Sequence, residues 1–499
     1  MGGFSEILGA EQGGPPLLTI LQLLPLCGAA FAFAFKERAT AVVAGKAFAL
    51  AELLLCIVIA SRINPASATL QLAERFEPLG YHVAVDGMSI VFLLVAALLT
   101  VLMTFYGMSR GMISPGRLFA VLLVAEAGLV GMLVTLNVAW FALFSALELW
   151  AVIYLLRRWA SSRAETQALA RFVQYQSFGL ALFVAGCLVL GWGHADASGG
   201  RWSFDLFDLA GTVLADRFQT VAFFLLFYGL AVRTPLFPLH GWLPNMAQHG
   251  LIAVAPALMV GTKVGIYGML RFVLPLTPAA VLHWQPYVIG FAMAGVFFTA
   301  ALAFQQTNLR RLLGFAVVSH TSLLVIGVFS LHEAGIQGAV LLAANFGLAV
   351  SGMWFIVGFV FRRTGTTELD ELSGLFERIP FLAIAFLIFG LAIVGMPGTP
   401  GFDAAHLILE AAIDSFGALS TVAAALGNVA AAGFLLWAFQ RAFLSQRKQG
   451  SPDVDRTTPM EYLVCGIALL AMLTIGFFTE PWLHLTEAAS QGLAARFVR

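Results

Sequence analysis

Charge is what this chain has least of. Only 11% of its 499 residues are Asp, Glu, Lys or Arg, while 60% are hydrophobic. A soluble domain carries ~25% charged residues, so the composition excludes a soluble globular protein and reads as a polytopic membrane protein. Net charge is zero, which argues against a nucleic acid or any other polyanion as partner. The four cysteines, Cys27, Cys56, Cys187 and Cys465, lie far apart in apolar stretches. No metal-ligand spacing is present, and buried structural thiols are expected. The opening MGGFSEILGAEQGGPP lacks a basic segment before its first apolar run. No cleavable signal peptide is expected, and the first span serves as the insertion signal. Long polar loops are lacking too, so soluble catalytic machinery must come from another subunit.

What is there is a series of apolar runs. Crossing ~30 Å of hydrocarbon takes ~20 apolar residues. Fourteen candidate spans start near Leu17, Ala41, Ser89, Arg117, Val138, Val173, Phe218, Leu251, Leu282, Arg311, Ile336, Pro380, Phe416 and Met460. The odd-numbered loops, from Lys36 and Arg38 to Arg447, Lys448 and Arg456, carry 17 Lys and Arg. The even-numbered loops and C-terminal tail, including Arg62, Arg75, Arg201, Arg271 and Arg499, carry 7. The positive-inside rule then puts the odd loops in the cytoplasm and both termini outside. The expected setting is a bacterial inner membrane.

Spans seven and twelve contain prolines, which interrupt helices. GLAVRTPLFP (Gly229–Pro238) and GLAIVGMPGTP (Gly390–Pro400) both begin Gly-Leu-Ala. Each reaches two prolines three residues apart: Pro235 and Pro238, Pro397 and Pro400. Paired interrupted helices in two halves mark transporter repeats. The repeats predicted are residues 117–272 (spans four to eight) and 282–437 (spans nine to thirteen), within a single membrane domain over 1–499. Residues 1–116 and 438–499 flank them. An odd number of spans per repeat inverts the second relative to the first. Backbone left unpaired at a break is tolerated only inside protein or beside water, so the first break is expected to line a cavity where a charge can be hydrated.

Ionisable residues at membrane depth are functional candidates by default. Glu148, Arg233 and Lys263 fall near mid-span within one repeat, a pattern suited to moving a proton, or to pinning helices with an ion pair. Glu126 on span four is an accessory candidate. Lys46 and Glu52 stand six apart on different faces of span two and read as structural. His320, in VVSHTSLL, fits core hydrogen bonding and a relay equally. Asp403, His406 and Glu410 follow the second break.

Several motifs carry a resemblance: VDGMSIVFLL (Val85–Leu94), LLVAEAGLVGMLV (Leu122–Val134), LELW (Leu147–Trp150), PLFPLHGWLP (Pro235–Pro244), GTKVGIYGMLRF (Gly261–Phe272), VSHTS (Val318–Ser322) and GMPGTPGF (Gly395–Phe402). Their order and spacing resemble the antiporter-like subunits of respiratory complex I, most closely subunit M, with the D subunit of Mrp-type cation/proton antiporters as a relative. The resemblance implies an all-α polytopic fold of about fourteen transmembrane helices, two inverted five-helix repeats and discontinuous helices seven and twelve. It implies a proton relay through Glu148, Lys263 and His320. Arg233 stands where the family has lysine. Arginine does not give up its proton, so its implied role is a fixed electrostatic bias. Phe346 stands in the place of a family histidine and Ala405 in that of the terminal charged residue; Asp403, His406 and Glu410 are the nearby substitutes for an outlet. Asn245–Leu258 departs from the family pattern and is about one residue shorter.

The function this implies is a proton-translocating subunit of a complex-I-like NADH:quinone oxidoreductase-type assembly. The chain has no flavin, iron–sulfur or nucleotide motif, so redox centres, or zinc, belong to partners. Those partners are other membrane subunits, the lipid bilayer and a soluble redox arm or zinc protein. Two alternatives stand beside it: an ion-translocating subunit of a non-redox assembly for inorganic-carbon uptake or cation/proton antiport, and a scaffold with a disabled channel.

Overall fold

The structure, a computed structural model, describes residues 4–9, 11, 14–35, 39–106, 115–159, 163–249, 263–446 and 454–497. The start of the eighth span at Leu251 and the charges Lys36, Arg38, Arg110, Arg447, Lys448 and Arg499 lie outside the described residues.

Helices dominate because the apolar runs are rich in Leu, Ala and Phe and apolar all round, as suits a bilayer or a buried core. The first six are α1 (Leu17–Ala34), α2 (Ala39–Arg62), α3 (Gly87–Tyr106), α4 (Pro115–Val134), α5 (Val138–Trp159) and α6 (Arg163–Ala197). A short α7 (Leu206–Gly211) precedes α8 (Asp216–Arg233) and α9 (Trp242–His249). Residues 263–276 form α10, with a π-helical turn at Met269–Val273. The second half holds α11 (Pro278–Phe304), α12 (Leu309–Phe329), α13 (Glu333–Thr364), α14 (Pro380–Val394), α15 (Pro400–Phe416) and α16 (Ala418–Phe439). Last come α17 (Pro459–Phe477) and α18 (Glu480–Ala494). Among the described residues, 11 helices are long and apolar enough to cross a membrane: α1 to α6, α11 to α13, α16 and α17.

The two breaks fall where the prolines lie. Helix α8 ends at Arg233 and the chain turns through Pro235 and Pro238 before α9 begins at Trp242. Helix α14 ends at Val394; Gly395 takes the left-handed conformation with φ of 87°, and α15 starts with Pro400 in its first turn. Proline is tolerated there because that N–H has no helical partner. Side chains meet the carbonyls freed at each break. The Trp242 indole N–H donates to the Val232 carbonyl at 2.9 Å, and the Asn345 amide donates to the Ala392 carbonyl at 2.9 Å.

Helix α13 is the central pillar. Its 32 residues span ~48 Å at 1.5 Å per residue, and Gly335–Val360 is buried throughout. Helices α3, α12, α14, α15, α17 and α18 surround it.

The structure corrects several expectations. It contains a small sheet the sequence reading did not foresee: β1 (Glu6–Leu8) runs parallel to β2 (Leu70–Phe76), which pairs antiparallel with β3 (Tyr81–Val85). Its strands are too short to show a period. His82 on β3 ties this end together, its Nδ1 2.6 Å from Asp205 Oδ2 and its Nε2 2.7 Å from Glu6 Oε2. The amphipathic α18 packs over the same end, where Gln337 donates to the Leu483 carbonyl at 2.7 Å. The sixth span starts ten residues before Val173, so Arg163 and Arg171 belong to α6, whose 35 residues run ~52 Å and outreach the hydrocarbon. Arg271 and Arg310 are not loop residues but buried in helices. Arg363 also lies within a helix, paired with buried Glu461 at 2.6 Å.

Candidate functional site

The first half brings Glu148 and Arg233 together. Glu148 sits mid-way along α5, and Arg233 is the last residue of α8, delivered there by the proline break. Arg233 Nη2 donates to Glu148 Oε2 at 2.6 Å, and its Nη1 donates to Ser145 Oγ at 2.9 Å. Ser145 and Glu148 are three apart on α5 and share one face. Both members of the pair are buried, Glu148 at 6% and Arg233 at 9% exposure. A charge-assisted bond of this length in a low-dielectric setting is strong, and removing either partner would strand the other.

Helix crossings fix this geometry. A Cβ at Gly128 of α4 would stand 2.8 Å from both Cβ and the backbone nitrogen of Glu148. Only glycine lets α5 come so near α4. Likewise Gly265 of α10 lies against Thr234, next to Arg233, where a Cβ would overlap the threonine hydroxyl. That contact sets the segment carrying Lys263 beside the end of α8.

Lys263 is 3% exposed. Its Nζ donates to Thr321 Oγ1 at 2.7 Å and stands 5.1 Å from the centre of the Phe346 ring. Among the described residues it has no ion-pair partner. His320, next to Thr321 on α12, is also 3% exposed, and its ring centre lies 5.0 Å from that of Phe346. Among the described residues, His320 Nε2 has no hydrogen-bond partner. Phe346, on α13, therefore packs against both the ammonium and the imidazole.

Open space is present at the first break. A cavity of about 220 Å³ beside Pro238 is lined mostly by apolar side chains such as Phe227, Trp284 and Phe291, with Ser322 as a polar contributor. Protein partners, Ser145 and Glu148, meet the arginine's charge.

On α15, Ala405 is buried, Asp403 is half-buried, and His406 and Glu410 are exposed. Steps of two and one residues turn a side chain ~200° and ~100° about a helix. The structure therefore places none of the three where Ala405 points. Glu126 of α4 is 3% exposed and faces away from Glu148, towards α2 and α3.

The sequence reading missed one buried pair. Arg271 Nη2 donates to Asp86 Oδ2 at 2.7 Å, both side chains being 4% exposed. Arg271 Nε donates to the Tyr267 hydroxyl at 3.1 Å, which in turn donates to the Leu133 carbonyl at 2.7 Å. Lys263, Tyr267 and Arg271 recur every four residues, and that spacing was the available signal.

Long apolar helices, two of them interrupted and the first interruption carrying a buried ion pair, define an all-α polytopic membrane protein. The chain belongs to the family described as NADH:quinone oxidoreductase/Mrp antiporter, TM, whose model matches residues 135–431. It is 26% identical to NADH-quinone oxidoreductase subunit M of Mycobacterium tuberculosis, over 95% of this chain and 93% of the relative. It is also 26% identical to F420H2 dehydrogenase subunit M of Methanosarcina mazei, over 96% and 98%. A chain of respiratory complex I from Thermus thermophilus superposes with a TM-score of 0.87 at 26% identity, over 97% of this chain and 100% of that one. A chain of the Mrp complex from Dietzia sp. shares the fold, with a TM-score of 0.86 at 18% identity over 96% and 98%. Both structures are of multi-subunit membrane complexes.

Proposed function

We propose that this chain is a proton-translocating, antiporter-like membrane subunit of a complex-I-like NADH:quinone oxidoreductase-type assembly. The observation that carries this reading is Lys263, buried among a hydroxyl, an aromatic ring and a neighbouring imidazole. With no carboxylate on it, its ammonium can release a proton without breaking an ion pair. Arg233 stays charged and acts as the bias. While Glu148 holds it, its charge is compensated. When that pair opens, the uncompensated guanidinium favours the neutral amine at Lys263, and the proton passes towards His320. Re-forming the pair lets Lys263 reload.

In this reading three further crossings join the eleven long helices. They are the interrupted α8–α9, the interrupted α14–α15 and the span that ends in α10, giving fourteen. The breaks in α8–α9 and α14–α15 support two inverted units, 117–272 and 282–437. Loop charge supports termini on the outer face of a bacterial inner membrane. Other membrane subunits flank the chain in the bilayer, and a soluble partner supplies the redox centres or zinc.

The test is Lys263→Ala. Assembly on a native gel is expected to be kept. Proton uptake driven by quinone reduction, followed by fluorescence quench in inverted membrane vesicles, is expected to fall to background. Full coupled uptake in a correctly assembled variant would remove Lys263 from the pathway. It would favour the second reading, a scaffold with a disabled channel, for which Phe346 and Ala405 in the second half are the specific observations.

A further inference from the structure

The described proton line leaves out two buried carboxyls. Glu52 on α2 is 0% exposed and Glu126 on α4 is 3% exposed. Among the described residues, none of their four carboxyl oxygens has a hydrogen-bond partner. Helices α2 and α4 pack directly on one another, and Cys56 lies one turn along α2 from Glu52. Cys56 is 1% exposed and Thr100, on α3, is 3% exposed. The Thr100 hydroxyl lies beside Glu126 without closing a hydrogen bond to it.

The four helices packed here offer no cation to this pocket. Helix α1 carries no acid or base except the exposed Cys27. Helix α3 carries only Tyr106, at its end. On α2, Lys46 stands six residues before Glu52, ~9 Å along the axis, with its Nζ over the Phe105 ring at 4.8 Å. Arg62 is ten residues beyond Glu52. On α4, Arg117 is nine residues before Glu126. Two carboxylates at one apolar site cannot both stay ionised. Something must neutralise them, and the smallest candidate is the proton itself.

Position gives the pair a place beside the chemistry. Glu126 and Gly128 are two apart on α4 and point to opposite sides of it. Gly128 is the point where Glu148 touches α4. One helix therefore separates the Glu52–Glu126 carboxyls from the Arg233-bound Glu148.

We propose that Glu52 and Glu126 form a second proton-binding site, a pair of carboxylic acids that carries its protons at neutral pH and can give one up. Giving one up breaks a single O–H bond and leaves one carboxylate beside the remaining acid; reloading reverses this, and no other covalent bond changes. Glu148, one helix away, sets the local field that the exchangeable proton feels. The proposal stands whether or not the Lys263 reading holds, because its test is an equilibrium measurement.

The test uses the intact assembly in mild detergent. Infrared difference spectra between wild type and Glu52→Gln, Glu126→Gln and the double variant report the carboxylic-acid C=O stretch, with its shift in heavy water. At neutral pH each single variant is expected to lower this band, the double variant to abolish that share of it, and alkaline buffer to weaken it in wild type. No difference between wild type and the double variant overturns the proposal. A band that appears only when sodium is withdrawn also overturns it, in favour of a sodium site. If the variants do not assemble, wild-type protein treated with an apolar carbodiimide decides the matter. This reagent modifies protonated carboxyls in apolar surroundings. Peptide mass spectrometry is expected to find the adduct on Glu52 or Glu126 and not on ion-paired Glu148. An adduct on neither overturns the proposal.

Discussion

At the scale of single residues, Arg233 and Phe346 make opposite predictions. Arg233 divides its guanidinium between Ser145 and Glu148. Arg233→Lys keeps the charge and gives up one of the two bonds, so most coupled proton uptake is expected to remain. Arg233→Met leaves Glu148 buried and unpaired, at a cost of roughly 3–5 kcal/mol. Uptake should be lost and the thermal midpoint of the detergent-solubilised protein should fall. Vesicle quench assays with a native gel as control measure the first, and a thermal melt the second. Equal activity in the Met variant would show that the pair takes no part. Phe346 packs against both Lys263 and His320. Phe346→Ala opens a cavity there and should destabilise by ~3–5 kcal/mol. Phe346→His sets a proton-carrying ring beside Lys263 and His320 and is expected to keep or raise uptake while costing less stability. If His and Ala lower uptake alike, the aromatic ring acts only as packing.

Elements show how close approach builds the site. Gly128 lets α5 lie on α4 with Glu148 at the point of contact. Gly128→Val should push the helices apart, costing ~1–3 kcal/mol from overpacking, and should lower uptake although every charged residue is intact. A variant with normal uptake and a normal melt would show that this crossing tolerates the change. The interruptions of α8–α9 and α14–α15 were legible in the sequence because proline and glycine act locally. The sheet was not, since its strands have only 3, 7 and 5 residues, and β1 depends on a partner some 60 positions away. Helix α18 also escaped notice, because 15 amphipathic residues are too short to span and its apolar face is defined only by α3 and α13. The Glu148–Arg233 pair was legible because charges in apolar runs stand out. The Asp86–Arg271 pair did not, because each charge falls at the edge of a run and looks like a loop residue.

For the whole molecule, the even-numbered connections gather at one end, with the sheet, Asp205 and α18, while Arg363, Glu461, Asp370 and Arg441 meet at the other. The proposed orientation puts the first end outside. In a background lacking the exposed Cys27, Val213→Cys is expected to react with an impermeant maleimide in intact cells, and Glu371→Cys only after the membrane is opened. The reverse pattern would invert the topology. The order of the apolar crossings was within reach of the sequence, since each run of about twenty apolar residues stands out locally. Which buried charges meet was not, because pairing depends on crossings set by glycines far apart in the chain. The capped breaks carry a consequence for water. At both interruptions a side chain already satisfies a freed backbone oxygen, Trp242 at Val232 and Asn345 at Ala392. Neither oxygen needs a solvent molecule to keep its place. At these two oxygens the ends of the interrupted helices are held by the protein itself, so a hydration change there does not by itself leave either group unpaired.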